Sequence, residues 1–117
     1  MPPGKRELAR IERRLIATLT EACETAKGEI PGFTWLTHTA ELASLVETLK
    51  VIWVFETQAE KKLAQANAKA RIFELTATAL NEANINLTLS ERNVCFDSEE
   101  ECQRTHGGDW QKRLAQG

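Results

Sequence analysis

Residues 49–56 read LKVIWVFE. In an extended chain successive side chains point to opposite sides, so Val51, Trp53 and Phe55 share one face while Ile52 and Val54 share the other. Both faces are apolar, which predicts a strand covered on two sides and therefore central in its sheet. The apolar run Val51–Phe55 is far shorter than the roughly 20 residues a membrane-spanning helix needs. The fold is read by asking what the flanking sequence supplies to cover both faces.

On the N-terminal side, FTWLTH (33–38) is aromatic and β-branched and predicts a neighbouring strand. The joining segment TAELASLVET (39–48) is compatible with a helical turn or an irregular loop. Before it, Leu8, Ile11, Leu15, Leu19, Ala22 and Ala26 recur at steps of three and four, predicting an amphipathic helix over 5–27. Gly28 and Pro31-Gly32 are its expected stop. On the C-terminal side, Leu63, Ala66, Ala70, Phe73, Ala77 and Leu80 predict one helix from about 58 to 84 with an alanine-rich contact stripe. Ile72 and Leu75 lie off that stripe and imply a second face against another element or a second subunit. INLTL (85–89) and NVCF (93–96) flank a polar SER and read as a hairpin. The expected fold class is α+β: a two-layer helix-strand-strand-helix-strand-strand-helix domain over 1–117, with a mostly antiparallel sheet of about four strands and residues 1–4 flexible.

The segment FDSEEECQRTHGGDW (96–110) is the richest in reactive side chains. Ser98 and Glu101 form a capping-box pair, Glu99 and Glu100 favour a helix start, and Arg104 and His106 favour its end. Gly107 suits the left-handed residue that stops a helix, and Asp109 suits the cap of WQKRLA. Two functional readings compete with this structural one. Cys95, Cys102 and His106 carry donor atoms that zinc accepts, but their spacing matches no standard motif. His38, Asp97 and His106 are candidates for a polar cleft. No catalytic triad is evident. Gly107-Gly108 lacks the following Lys-Ser/Thr of a phosphate loop, so no cofactor is expected.

The net charge is −2. Residues 1–14 hold Lys5, Arg6, Arg10, Arg13 and Arg14 against Glu7 and Glu12, a local +3, leaving −5 elsewhere. Cations at a helix N-terminus oppose its dipole, so helix stability does not account for them. Arg6, Arg10, Arg13 and Arg14 are the candidate surface for a partner or for nucleic acid. Three cysteines cannot all pair within the chain, and the N-terminal residues MPPGKREL carry no long apolar segment, which together predict reduced thiols, a cytoplasmic setting and no membrane association.

PGFTWLTH, LKVIWVF and NVCFDSEEECQRTHGGDWQKRL together resemble a family of small uncharacterised bacterial proteins with a GFxWLTH, VxxVF and FDSEExC pattern. The resemblance touches about half the chain. It implies a shared fold and a bacterial cytoplasmic setting, and it brings no established activity. In that family the segment between the first two strands carries aromatic and proline residues, which TAELASLVET lacks.

The reading that follows is a non-enzymatic binding or protein-interaction module, with an unknown protein partner or self-association as a dimer. The alternatives are a nucleic-acid-associated protein using the basic first helix and a small enzyme or metal-binding protein.

Overall fold

The structure, a computed structural model, describes residues 4–41 and 44–116. The expected flexibility of residues 1–4 falls, apart from Gly4, outside the described residues. In chain order the elements are α1 (Lys5–Glu29), β1 (Phe33–Thr39), α2 (Leu45–Thr48), β2 (Lys50–Phe55), α3 (Gln58–Asn67), α4 (Lys69–Glu82), β3 (Val94–Ser98), α5 (Glu99–His106) and α6 (Trp110–Gln116). The fold is α+β. Its sheet has three strands in the order β1-β2-β3 among the described residues, with β2 antiparallel to β1 and parallel to β3.

β2 is the central strand, and Val51 to Phe55 are all buried. On one face Trp53 packs on Phe33 with ring centroids 4.9 Å apart, and Phe55 meets Phe33 and Phe96. Leu15 and Leu19 of α1 and Ile72 and Leu80 of α4 belong to the same core. Each fully buried large side chain of this kind contributes about 1.5–3 kcal/mol. The opposite face, presenting the buried Ile52 and Val54, is covered by α5 and α6, where Trp110 meets Trp35 and Arg113 meets Asp97, both neighbours of Val54 in the sheet. The expected two layers are therefore corrected to helices on both sides, as a strand apolar on both faces requires.

The α1 stripe forms as its spacing predicts, with Leu15, Leu19, Ala22 and Ala26 buried. Gly28 lies inside the helix, which runs on to Glu29 before Pro31 and Gly32 turn the chain. Gly32 has φ +80°, and an added Cβ would overlap the Glu60 side chain, so glycine is required there. The open reading of 39–48 resolves into the one-turn α2, although residues 42 and 43 lie outside the described residues. Its Thr48 Oγ1 accepts from the Glu41 amide at 2.8 Å and donates to Ser44 O at 2.8 Å.

Two expectations are corrected C-terminal to β2. The single helix over 58–84 breaks at Ala68 (φ −123°, ψ 8°), which resets the helical phase. The buried stripe is Ile72, Leu75, Thr76, Ala79 and Leu80, while Leu63 is 56% exposed and Ala66, Ala70 and Ala77 face solvent. Burying isoleucine and leucine removes more apolar area from water than burying alanines, so the bulkier face is turned inward. The predicted 85–96 hairpin is absent. Asn84, at φ 59°, closes α4 in the left-handed conformation, with the Ile85 amide bonded to Leu80 O at 2.9 Å. Residues 85–90 then run without strand pairing, Ile85 buried and Leu87 and Leu89 packed on the core. Asn93 receives the Val51 amide on its carbonyl at 2.7 Å and donates its side-chain amide to Leu49 O at 3.0 Å, setting β3 parallel to β2. A parallel pair needs a long crossover, and α3, α4 and residues 85–90 supply it.

Trp53 also fixes a polar contact in this core. Its indole N–H donates to Thr76 Oγ1 at 3.2 Å, and that hydroxyl donates to Ile72 O at 2.7 Å. Thr76→Val keeps the shape and orphans the indole N–H. Urea denaturation is expected to show a loss of about 1–3 kcal/mol at unchanged slope; an unchanged midpoint contradicts this packing.

Candidate functional site

The polar residues of 96–110 gather on the second face of the sheet. Asp97 and Arg113 form a two-bonded ion pair, Nε to Oδ2 at 2.7 Å and Nη2 to Oδ1 at 2.9 Å, mostly buried on both sides. Arg113 Nη1 donates to Thr105 Oγ1 at 2.6 Å, and His106 Nδ1 lies 2.7 Å from that hydroxyl and 3.3 Å from Nη1. The Glu99 carboxylate accepts from the indoles of Trp35 at 2.5 Å and Trp110 at 3.1 Å, and the two rings meet edge to face at 5.0 Å. Ser98 caps α5 by accepting from the Glu101 amide at 3.1 Å. The other half of the expected capping box does not form: the Ser98 amide donates to Asp97 Oδ1, and the Glu101 carboxylate pairs with Arg104. Gly107 adopts φ 61°, and Asp109 accepts from the Lys112 amide at 3.1 Å. These groups fasten α5 and α6 to the sheet.

The proposed polar cleft divides. Asp97 and His106 both reach Arg113, but His38 is on the other face: it stands opposite Val51, whereas Asp97 stands opposite Val54, three residues on. Cys95, Cys102 and His106 are not brought together as a ligand set, and no group of three His, Cys, Asp or Glu side chains among the described residues is placed to hold a metal ion. Cys102 is fully buried. Burial pushes the thiols of Cys95 and Cys102 up, opposed by Lys50 at the first and Arg113 at the second, so neither supplies a thiolate near neutral pH. The cavity bordered by Ile52, Cys95, Asp97, Arg113 and Leu114 holds only about 140 Å³.

Arg6, Arg10, Arg13 and Arg14 are exposed on α1 and make no ion pair among the described residues. At 3.6 residues per turn they lie opposite the Leu15 and Leu19 stripe. Beside them is a surface that sequence reasoning missed. β1 is an edge strand, and no described strand pairs with its outer side. Over that edge, Ile16, Leu19, Thr20 and Cys23 of α1 and Leu36 and His38 of β1 line a mainly apolar groove of about 280 Å³. Ile16 is 47% exposed. The signal in the sequence is that Ile16 falls beside the α1 stripe, where one more large apolar residue is not needed for the core.

The chain matches no protein-family model, no curated protein and no solved structure. No described helix is long and apolar enough to cross a membrane.

His38 titrates as part of this groove. Burial lowers its pKa from the ordinary value of 6.5, and Glu12 partly opposes the shift. Because the folded value is the lower one, the unfolded chain binds the extra proton first, and stability falls as pH drops from about 6.5 toward the folded pKa. His38→Gln is expected to flatten the dependence of the denaturation midpoint on pH in that window. A slope identical to wild type removes His38 as its source.

Proposed function

We propose that this chain is a non-enzymatic protein-interaction module whose working surface is the outer edge of β1 with the adjoining α1 groove. The observation that carries the reading is the coincidence of an unpaired strand edge with an exposed isoleucine directly beside it. An edge strand offers a row of backbone donors and acceptors, and a neighbouring apolar groove adds side-chain selectivity to such pairing. The reactive side chains of 96–110 support the same reading, since Asp97, Glu99 and Arg113 are each engaged in holding helices to the sheet. The proposal includes the membership that GFxWLTH, VxxVF and FDSEExC suggest and a bacterial cytoplasmic setting.

A second reading, association with nucleic acid through Arg6, Arg10, Arg13 and Arg14, draws on their exposure and lack of described ion partners. Against it stand Glu21 and Glu24, exposed farther along the same side of α1, and the net charge of −2. Phosphate binding would appear as a salt-sensitive mobility shift.

Ile16→Glu places a carboxylate in the groove at a position the core does not use. Wild-type protein as immobilised bait is expected to retain a saturable protein partner, its own chain included, with affinity reduced about tenfold or more in the variant. Equal retention by both, or by neither, contradicts the assignment.

A further inference from the structure

We infer that occupation of this groove is gated by the protonation of His38. A neutral imidazole admits an uncharged, apolar side chain of the partner, and a charged one resists it. The inference rests on the groove beside the β1 edge being the working surface and adds its regulation.

The geometry puts His38 where an occupant must cover it. Leu36 and His38 are two apart on β1 and share the face toward α1, while Ile16, Leu19, Thr20 and Cys23 supply the opposite wall. None of these side chains carries a fixed charge, so with His38 neutral the groove suits an uncharged, apolar occupant. Ile16, 47% exposed, is its most open apolar member. His38 itself is only half-buried in the free chain. A side chain seated between Ile16 and Leu36 takes the remaining water from the imidazole beside them.

A charge on that ring has little to compensate it. The His38 side chain makes no hydrogen bond and no ion pair among the described residues. From α1, the titratable groups on this side are Glu12, whose carboxylate favours the imidazolium, and Cys23, a thiol in the same groove. The arginine stripe of α1 faces away from the sheet. From β2, Val51 stands opposite His38, and Lys50 stands opposite Thr39, on the other face of the sheet. Burial already outweighs Glu12 in the free chain and holds His38 below its ordinary value of 6.5. Covering the groove completes that burial and lowers the value further, because an imidazolium loses more on leaving water than a neutral ring does. The free chain therefore holds the proton more tightly than the occupied one. Affinity is level above the folded value of His38 and falls as pH drops through it, by at most about tenfold per pH unit, the limit for one proton.

The test is fluorescence titration of the intact chain with the neutral, environment-sensitive dye Prodan from about pH 8 to about pH 5, the range in which histidine titrates. Circular dichroism checks that the fold persists throughout. Wild type is expected to bind the dye near neutral pH, about tenfold or more tightly than Ile16→Glu, and to lose affinity on acidification. His38→Gln is expected to bind equally across the range. Glu12→Gln, which withdraws support from the imidazolium, is expected to match wild type near neutral pH and to lose affinity only at lower pH. A level wild-type profile, a slope that survives in His38→Gln, a Glu12→Gln profile displaced to higher pH, or no dye binding overturns the gate. The interaction surface is decided separately, by protein retention at neutral pH and its loss in Ile16→Glu. Retention of that kind with a level dye profile leaves the surface standing without its gate, and if nothing is retained both fall.

Discussion

The fold depends on one constraint: β2 is apolar on both sides and cannot leave either in water. Covering Val51, Trp53 and Phe55 takes α1 and α4, while Ile52 and Val54 are buried under the C-terminal helices α5 and α6. The chain must therefore cross from one side of the sheet to the other, and β3 marks the crossing. It enters parallel to β2, clamped by Asn93 at its start and handed to α5 by Ser98 at its end. With β2 flanked by β1 and β3, the outer side of β1 is left as an unpaired edge beneath α1.

The second face shows how a short helix is held without a large apolar surface. α6 contributes Trp110 and Arg113, and each meets a partner already fixed by the sheet. Glu99 ties Trp110 to Trp35, and Asp97 receives Arg113 through two parallel bonds. Partly buried, charge-assisted pairs of this geometry are stronger than exposed ones. Reactive composition in 96–110 therefore has a mechanical explanation.

The legible parts of the sequence were those where local periodicity and burial agree. The double-faced β2, the α1 stripe through Leu15 and Leu19, the Ser98 cap and the left-handed Gly107 all follow from spacing and residue type. What escaped the sequence depends on competition between distant segments. The break at Ala68 has no glycine or proline to announce it, and two apolar stripes of different bulk contend for the core in α4. The 85–89 run alternates as a strand would, yet Asn93 reaches Leu49, and that contact gives the place beside β2 to residues 94–98 instead. The separation of His38 from Asp97 follows from register, which side-chain type alone does not reveal. Ile16 was visible only as an apolar residue with no role in the helix stripe.

An exposed isoleucine and an uncharged strand edge lie on one side of the molecule, away from the Asp97–Arg113 fastening. Together they support the proposal that this side is an interaction surface. Amide hydrogen exchange resolved along β1, measured with and without the partner that the wild-type chain retains, tests this most directly. Amides on the outer side of Trp35–Thr39 are expected to gain protection when that partner is bound, while β2 amides remain slow throughout. Exchange in β1 that is the same with and without the partner would contradict it.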